Sequence, residues 1–311
     1  HEHRSRTLGG VIPAPPPMSS DTLVQLAVFL GLTALVALAT WLHCRKAARS
    51  TASTREYFLA GGGLNWVFIG GTITLTNIST DTFIGMSGAQ ALNIVWWEIS
   101  GAVGLVMLAK LFLPIYYRYR CTTVTELLER RYQSKHIRAA VAVVFLVGNI
   151  FLFLPAMLYT SGLVMKSMFG LGDTLLGLNT VLAIGLGVAV VGALYAIFGG
   201  LRAVAISDTY CGVIVLGLGG ALIFYALDAI HWDFSGIPPE RLQLFGDANA
   251  PIPWPTLLTG MVFCQLFYWS TNQTITQRAL AAPDLREAKR GVYFALCLRL
   301  LCLPRRKGGL N

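Results

Sequence analysis

The chain has 311 residues, of which 55% are hydrophobic and 13% charged, with a mean hydropathy of +0.61. Soluble domains carry about 25% charged residues, so the composition excludes an ordinary soluble enzyme and makes a lipid bilayer the expected partner. The net charge of +9 does not point to nucleic acid, because the basic residues are distributed loop by loop along the chain rather than gathered in one patch.

In chain order, residues 1–17 contain Pro13-Ala14-Pro15-Pro16-Pro17 and no signal-peptide pattern. Met18 reads as a natural start. Residues 1–17 are therefore expected to be a non-native or disordered extension, and 18–43 the leading transmembrane span, its apolar run beginning at residue 22. Apolar segments follow at 64–86, 92–114, 139–166, 178–198, 203–228 and 254–277, with a shorter one at 291–303. Crossing a hydrocarbon core about 30 Å thick takes about 20 residues, so all but the last are long enough.

The loops alternate in charge. Arg45, Lys46, Arg49 and Arg55 fall in 44–63, and Arg118, Arg120, Arg130, Arg131, Lys135 and Arg138 in 115–138. Arg202 sits in the turn 199–203, and Arg278, Arg286, Lys289 and Arg290 in 278–290. The intervening loops 87–91, 167–177 and 229–253 hold only Arg241. The positive-inside rule then predicts a multi-pass protein of the plasma (inner) membrane with its N-terminus outside. The six cysteines form no CxxC pair and the five histidines are scattered, so neither a disulfide framework nor a zinc site is expected.

Four features interrupt the apolar pattern. Asn77-Ile78-Ser79-Thr80-Asp81-Thr82 stands inside segment 64–86. A run of polar, helix-weak residues at membrane depth is tolerated where the backbone lines a protein cavity. Gln265, Tyr268, Trp269, Ser270, Thr271, Asn272 and Gln273 make a second patch of the same character in 254–277. Paired interruptions in two halves of a chain point to the binding site of a secondary transporter. Asp208, a few residues into 203–228, is an ion-path candidate or an interfacial acid near Arg202. Glu98, after Trp96-Trp97, is a solute contact or a solvated acid in an aromatic belt.

The runs Tyr57-Phe58-Leu59-Ala60-Gly61, Asn77-Ile78-Ser79-Thr80, Phe83-Ile84-Gly85-Met86-Ser87-Gly88 and Phe112-Leu113-Pro114 resemble the sodium:solute symporter family. So do Gly199-Gly200-Leu201-Arg202-Ala203, Ser207-Asp208, Tyr268-Trp269-Ser270-Thr271-Asn272-Gln273 and Gln277-Arg278-Ala279-Leu280-Ala281-Ala282, in order and spacing over about 56–300. The likeness is to the bacterial sodium/sugar, galactose-type branch. It implies an all-α membrane protein of leucine-transporter-like inverted-repeat fold: a leading span, a first five-helix repeat over 64–228, and the start of a second over 254–303.

The resemblance also implies roles. Sodium, the co-transported ion, would meet the backbone carbonyls of Leu75 and Ile78, with Asp208 assisting its release inward. The solute would meet Asn77, Thr82, Glu98, Gln265 and Arg299, with Tyr268 as the inner aromatic gate. Thr82, Phe153, Gln265 and Arg299 depart from the galactose-type residues Gln, Asn, Asn and Lys, which leaves the solute open. The function expected is sodium-coupled symport of a small polar solute, a sugar or similar, by alternating access; the alternative is a solute-sensing membrane receptor on the same fold. An enzyme is not expected, since no nucleophile–base pair or paired carboxylates stand at useful spacing. The change after Leu301 to a basic tail over 304–311 raises the expectation of a truncated chain that does not transport by itself.

Overall fold

The computed structural model of the chain describes residues 20–45, 54–79, 82, 92–175, 177–233, 235–236, 238, 243–245, 250 and 252–301. The extension 1–17, the tail 304–311, Cys302, Thr80, Asp81, Phe83–Gly88, Lys46, Arg49 and Arg241 lie outside the described residues.

The helices are α1 (Ser20–Arg45), α2 (Thr54–Leu59), α3 (Trp66–Asn77), α4 (Val95–Arg118), α5 (Val124–Tyr132) and α6 (Lys135–Met168). They continue as α7 (Thr180–Ala229), α8 (Trp254–Leu258), α9 (Gly260–Leu266), α10 (Gln273–Leu280) and α11 (Leu285–Leu301). Thr174–Leu175 and Leu178–Asn179 pair as a minimal antiparallel hairpin before α7. Among the described residues, α1, α4, α6 and α7 are long and apolar enough to cross a membrane. Their outward faces are apolar, as a lipid-facing surface requires: Phe151 is 71% exposed and Phe198 84%. The core lies among α3, α4, α10 and α11, where Ile69, Ile73, Leu105, Leu108, Tyr116, Trp269 and Val292 are buried.

Helix α7 covers both spans expected at 178–198 and 203–228. Its 50 residues would run about 75 Å if straight, at 1.5 Å per residue, over twice the hydrocarbon thickness. It does not run straight. Gly200 has φ 59 and ψ −172, a conformation open essentially to glycine alone, and there one apolar arm ends and another begins. A Cβ at Gly200 would also stand 3.2 Å from the Tyr57 carbonyl oxygen. Gly200→Ala is expected to cost about 1–3 kcal/mol from backbone strain, read as a lower unfolding midpoint in detergent; an unchanged midpoint would mean the two arms do not depend on this turn.

Segments 64–86 and 254–277 are not single helices. The first yields α3, started by Asn65, whose side chain accepts hydrogen bonds from Val67 N and Phe68 N (3.1 Å each), and ended at Asn77–Ile78, where Ile78 has ψ 89. The second is divided into α8, α9, a wide turn and α10, with Asn272 (ψ 127) capping α10.

Wide π-helical turns occur at Leu108–Phe112, Asn149–Phe153 and Phe267–Thr271. They close through the amides of Leu113, Leu154 and Asn272 to the carbonyls of Leu108, Asn149 and Phe267, five residues back. Pro114 and Pro155 follow the first two. A proline ring clashes with the carbonyl four residues back and donates nothing to it, and a π turn opens the backbone where that clash would fall.

The basic loops meet at one end of the molecule. Leu64 N donates to Ala281 O (3.2 Å), Gln277 to Phe58 O (2.6 Å), Tyr117 to Ala282 O (3.3 Å), Val124 N to Gln273 (3.4 Å) and Arg202 to Ala60 O (2.8 Å). Away from that end, described parts of the sparsely basic loops make contacts of their own. There Trp96 Nε1 donates to Leu244 O (2.8 Å), and Lys166 donates to Asp173 (2.6 Å) and holds that carboxyl below the usual carboxylate range.

Candidate functional site

The break after α3 is held by its own side chains. Thr82 Oγ1 donates to Asn77 O (3.0 Å), Ser79 and Thr82 hydroxyls stand 3.2 Å apart, and Thr82 N donates to Ser79 Oγ (3.3 Å). Ile78 N donates to Leu75 O (2.9 Å). A carbonyl oxygen has two lone pairs, so this bond leaves Leu75 O able to accept from or coordinate a second group. The C-terminal end of α3 also carries the negative pole of the helix dipole, which favours a cation.

Against this break lies a cavity of about 460 Å³ between α3, α4, the second arm of α7 and α11. Asn77, Ile78, Thr82, Glu98 and Arg299 line it together with Thr74 and Trp269, and the α7 side is apolar or bare, with Val215, Leu216, Gly219 and Gly220. Its volume falls in the range of about 300–1,000 Å³ typical of small-ligand sites.

Glu98 is not a solvated belt acid. Its carboxylate is 2.9 Å from Arg299 Nε, and the two side chains are 12% and 5% exposed. Arg299 also donates to the Glu98 carbonyl (3.0 Å) and the Trp97 carbonyl (3.3 Å), and its guanidinium lies 4.4 Å from the Trp269 ring centroid. The charged pair on the cavity wall is therefore mutually compensated.

Gln265 stands behind the wall, not on it. Its amide donates to Trp97 O (3.1 Å) and its carbonyl accepts from Trp269 Nε1 (2.8 Å). Tyr268 is likewise absent from the cavity lining and packs on the core, edge-on to Trp269 (5.1 Å, 76°). The aromatic face on the cavity is Trp269. It belonged to the same polar and aromatic patch in the sequence, but spacing alone does not say which of two adjacent rings turns inward. Phe153 is 57% exposed on α6 and plays no part here.

Asp208 lies away from the cavity, toward the basic end. Thr72 Oγ1 donates to its carboxylate (2.6 Å), and Arg278 stands 3.7 Å from the same oxygen. Thr72 is five residues before Asn77, about 7–8 Å along the helix axis. Arg278 Nε donates to Thr72 Oγ1 (2.9 Å), and a second guanidinium nitrogen donates to Thr274 O. Arg278 is thus a correction to the loop assignment. It is 13% exposed and joins α10 to α3 and α7 inside the bundle, where the sequence reading placed it in the basic loop 278–290.

The sodium:solute symporter family model matches residues 57–306. The chain is 35% identical over 294 residues to the uncharacterized symporter YidK of Escherichia coli (strain K12), covering 89% of this chain and 50% of that protein. It is 32% identical to the sodium/glucose cotransporter of Vibrio parahaemolyticus (91% and 53%) and 32% identical to the mouse sodium/myo-inositol cotransporter 2 (93% and 47%). The chain spans about half the length of these curated relatives. Among solved structures it is similar to the substrate-bound outward-open state of a Na+-coupled sialic acid symporter, with a TM-score of 0.66 at 17% identity, covering 89% of this chain and 57% of that one. The relatives are transporters, not enzymes. The fold is the leucine-transporter-like inverted-repeat arrangement, here the first repeat and the start of the second.

Proposed function

This chain belongs to the sodium:solute symporter family, and on that premise we propose that it serves sodium-coupled symport of a small, uncharged polar solute, a sugar or polyol, by alternating access in the plasma membrane, with its basic end in the cytoplasm. The carrying observation is the cavity at the break of α3, lined by Asn77, Thr82 and the compensated Glu98–Arg299 pair. Because the two charges answer each other, a solute entering there meets hydrogen-bonding groups and the Trp269 face without needing a counter-charge. The names of the glucose and myo-inositol cotransporters support the same solute class.

Sodium is assigned to the carbonyls of Leu75 and Ile78, at the negative end of the α3 dipole. Asp208, farther toward the basic end, draws the ion onward. Gln265 fixes Trp97 and Trp269, and Tyr268 supports Trp269, so both act on the solute through their neighbours. One sodium crossing ~100 mV gains about 2.3 kcal/mol. A tenfold gradient adds about 1.4 kcal/mol, and together these could concentrate a neutral solute roughly 500-fold.

The test is uptake of labelled hexoses and polyols into proteoliposomes by a version of this protein extended to the full length of its relatives, with and without an inward sodium gradient. Asn77→Ala is expected to raise the solute half-saturation about 2- to 12-fold, the range of one lost hydrogen bond of about 0.5–1.5 kcal/mol. No sodium-dependent uptake of any neutral solute would overturn the function, and an unchanged half-saturation would remove Asn77 from the site.

A further inference from the structure

A second and larger cleft lies at the basic end, between α1, the start of α3 and the α7 arm that follows Gly200. Its volume is about 820 Å³, and His43, Arg45 and Arg202 line it with no carboxylate among the described lining residues. Each cation is oriented by a neighbour. Arg202 donates to the Ala60 carbonyl (2.8 Å), the His43 ring stands 3.4 Å from the Tyr210 hydroxyl and edge-on to Phe68 (5.1 Å), and the Arg45 guanidinium lies 5.2 Å from the Trp41 ring centroid. The N-terminus of α3 opens nearby but is already capped, by the Asn65 side chain and by Glu287, which accepts from Trp66 N (3.2 Å). The positive charge at the cleft therefore comes from the side chains of Arg45 and Arg202.

The rest of the wall is apolar. Leu42 of α1 lines the cleft, and Leu35 and Leu38 lie on the same helix, 58% and 54% exposed. A polar mouth above an apolar helix face suits a molecule with an anionic head and hydrocarbon tails. Basic pockets between membrane helices on the cytoplasmic side take phospholipid head groups, and anionic lipids concentrate in that leaflet.

We propose that this cleft binds the phosphate of an anionic membrane phospholipid, with the acyl chains lying along α1. The lipid would then bridge the leading helix α1 and the bundle. Each arginine near an anionic surface contributes roughly a fivefold gain in affinity, from about 1 kcal/mol per charge.

The test uses the full chain in nanodiscs of phosphatidylcholine with or without phosphatidylglycerol, reading retained lipid by native mass spectrometry and stability by the unfolding midpoint. Phosphatidylglycerol is expected to be retained preferentially and to raise the midpoint. Arg45→Gln and Arg202→Gln should each lower that retention roughly fivefold, while Arg118→Gln, an exposed arginine outside the cleft, should not. Equal retention of the two lipids, or retention indifferent to both cleft variants, would overturn the proposal. Displacement of phosphatidylglycerol by an equal concentration of glycerol 1-phosphate would also overturn it, by assigning the cleft to a soluble phosphate.

Discussion

Removing Arg299 is expected to be the most damaging single change in the chain. Arg299→Met takes away the guanidinium that holds the Glu98 carboxylate, two carbonyls and the Trp269 ring. An uncompensated buried charge typically costs about 3–5 kcal/mol. Only the Gly101 side is closed. Gly101 packs so closely that a Cβ there would stand 2.5 Å from an Arg299 nitrogen and 2.7 Å from Trp269 Nε1. The double variant Glu98→Gln/Arg299→Met should recover much of the loss, because it removes both charges at once. Thermal unfolding of the single and double variants in the same nanodiscs decides the matter. If the double variant is no more stable than the single one, the pair is not what holds this wall together.

The largest functional effect is expected at Asp208. Asp208→Asn keeps an acceptor for the Thr72 hydroxyl but removes the charge from the ion path. The sodium half-saturation for uptake should rise about tenfold, corresponding to about 1.4 kcal/mol, while the solute half-saturation at saturating sodium changes much less. Geometry underlies the separation, since Asp208 contacts Thr72 and Arg278 and does not line the cavity. The substitution also leaves Arg278 without its carboxylate. Arg278→Gln in the same background separates that loss of stability from the loss of ion handling. An unchanged sodium dependence in both backgrounds would sink the assignment of Asp208 to the ion.

Some of this was legible in the residues and some was not. The meeting of the basic loops was legible because Arg and Lys density differs between alternate loops, and charge is a one-residue property. The breaks at Asn77 and Asn272 were legible because Asn, Ser and Thr are weak helix formers that cap well. Gly199-Gly200 marked the turn inside α7 for a comparable reason. What the sequence hid was pairing over long separation. Gln265 bonds Trp97 from 168 residues away, and that bond and the one from Trp269 hold it behind the cavity wall. Arg278 was counted in the basic loop 278–290, yet it turns toward an acid 70 positions earlier in the chain. In both cases a tertiary partner, absent from any local window, decides the role.

The π turns carry one more consequence, which concerns angular phase. Successive residues of an α-helix advance by about 100°, from 3.6 residues per turn. A π turn spends one more residue on a turn, so everything beyond it lags an ideal wheel by roughly that angle. In α4 the lag falls at Leu108–Phe112, between the cavity wall at Glu98 and the basic end. Beyond it Tyr116 reaches Ser270 O (3.2 Å) and Tyr117 reaches Ala282 O (3.3 Å), two adjacent tyrosines that hold the chain just before and just after α10. A single helical wheel drawn through Val95–Arg118 would set one end of α4 or the other out of phase with these partners. A one-residue deletion in that turn could leave the helix regular and still turn its two ends out of step with each other.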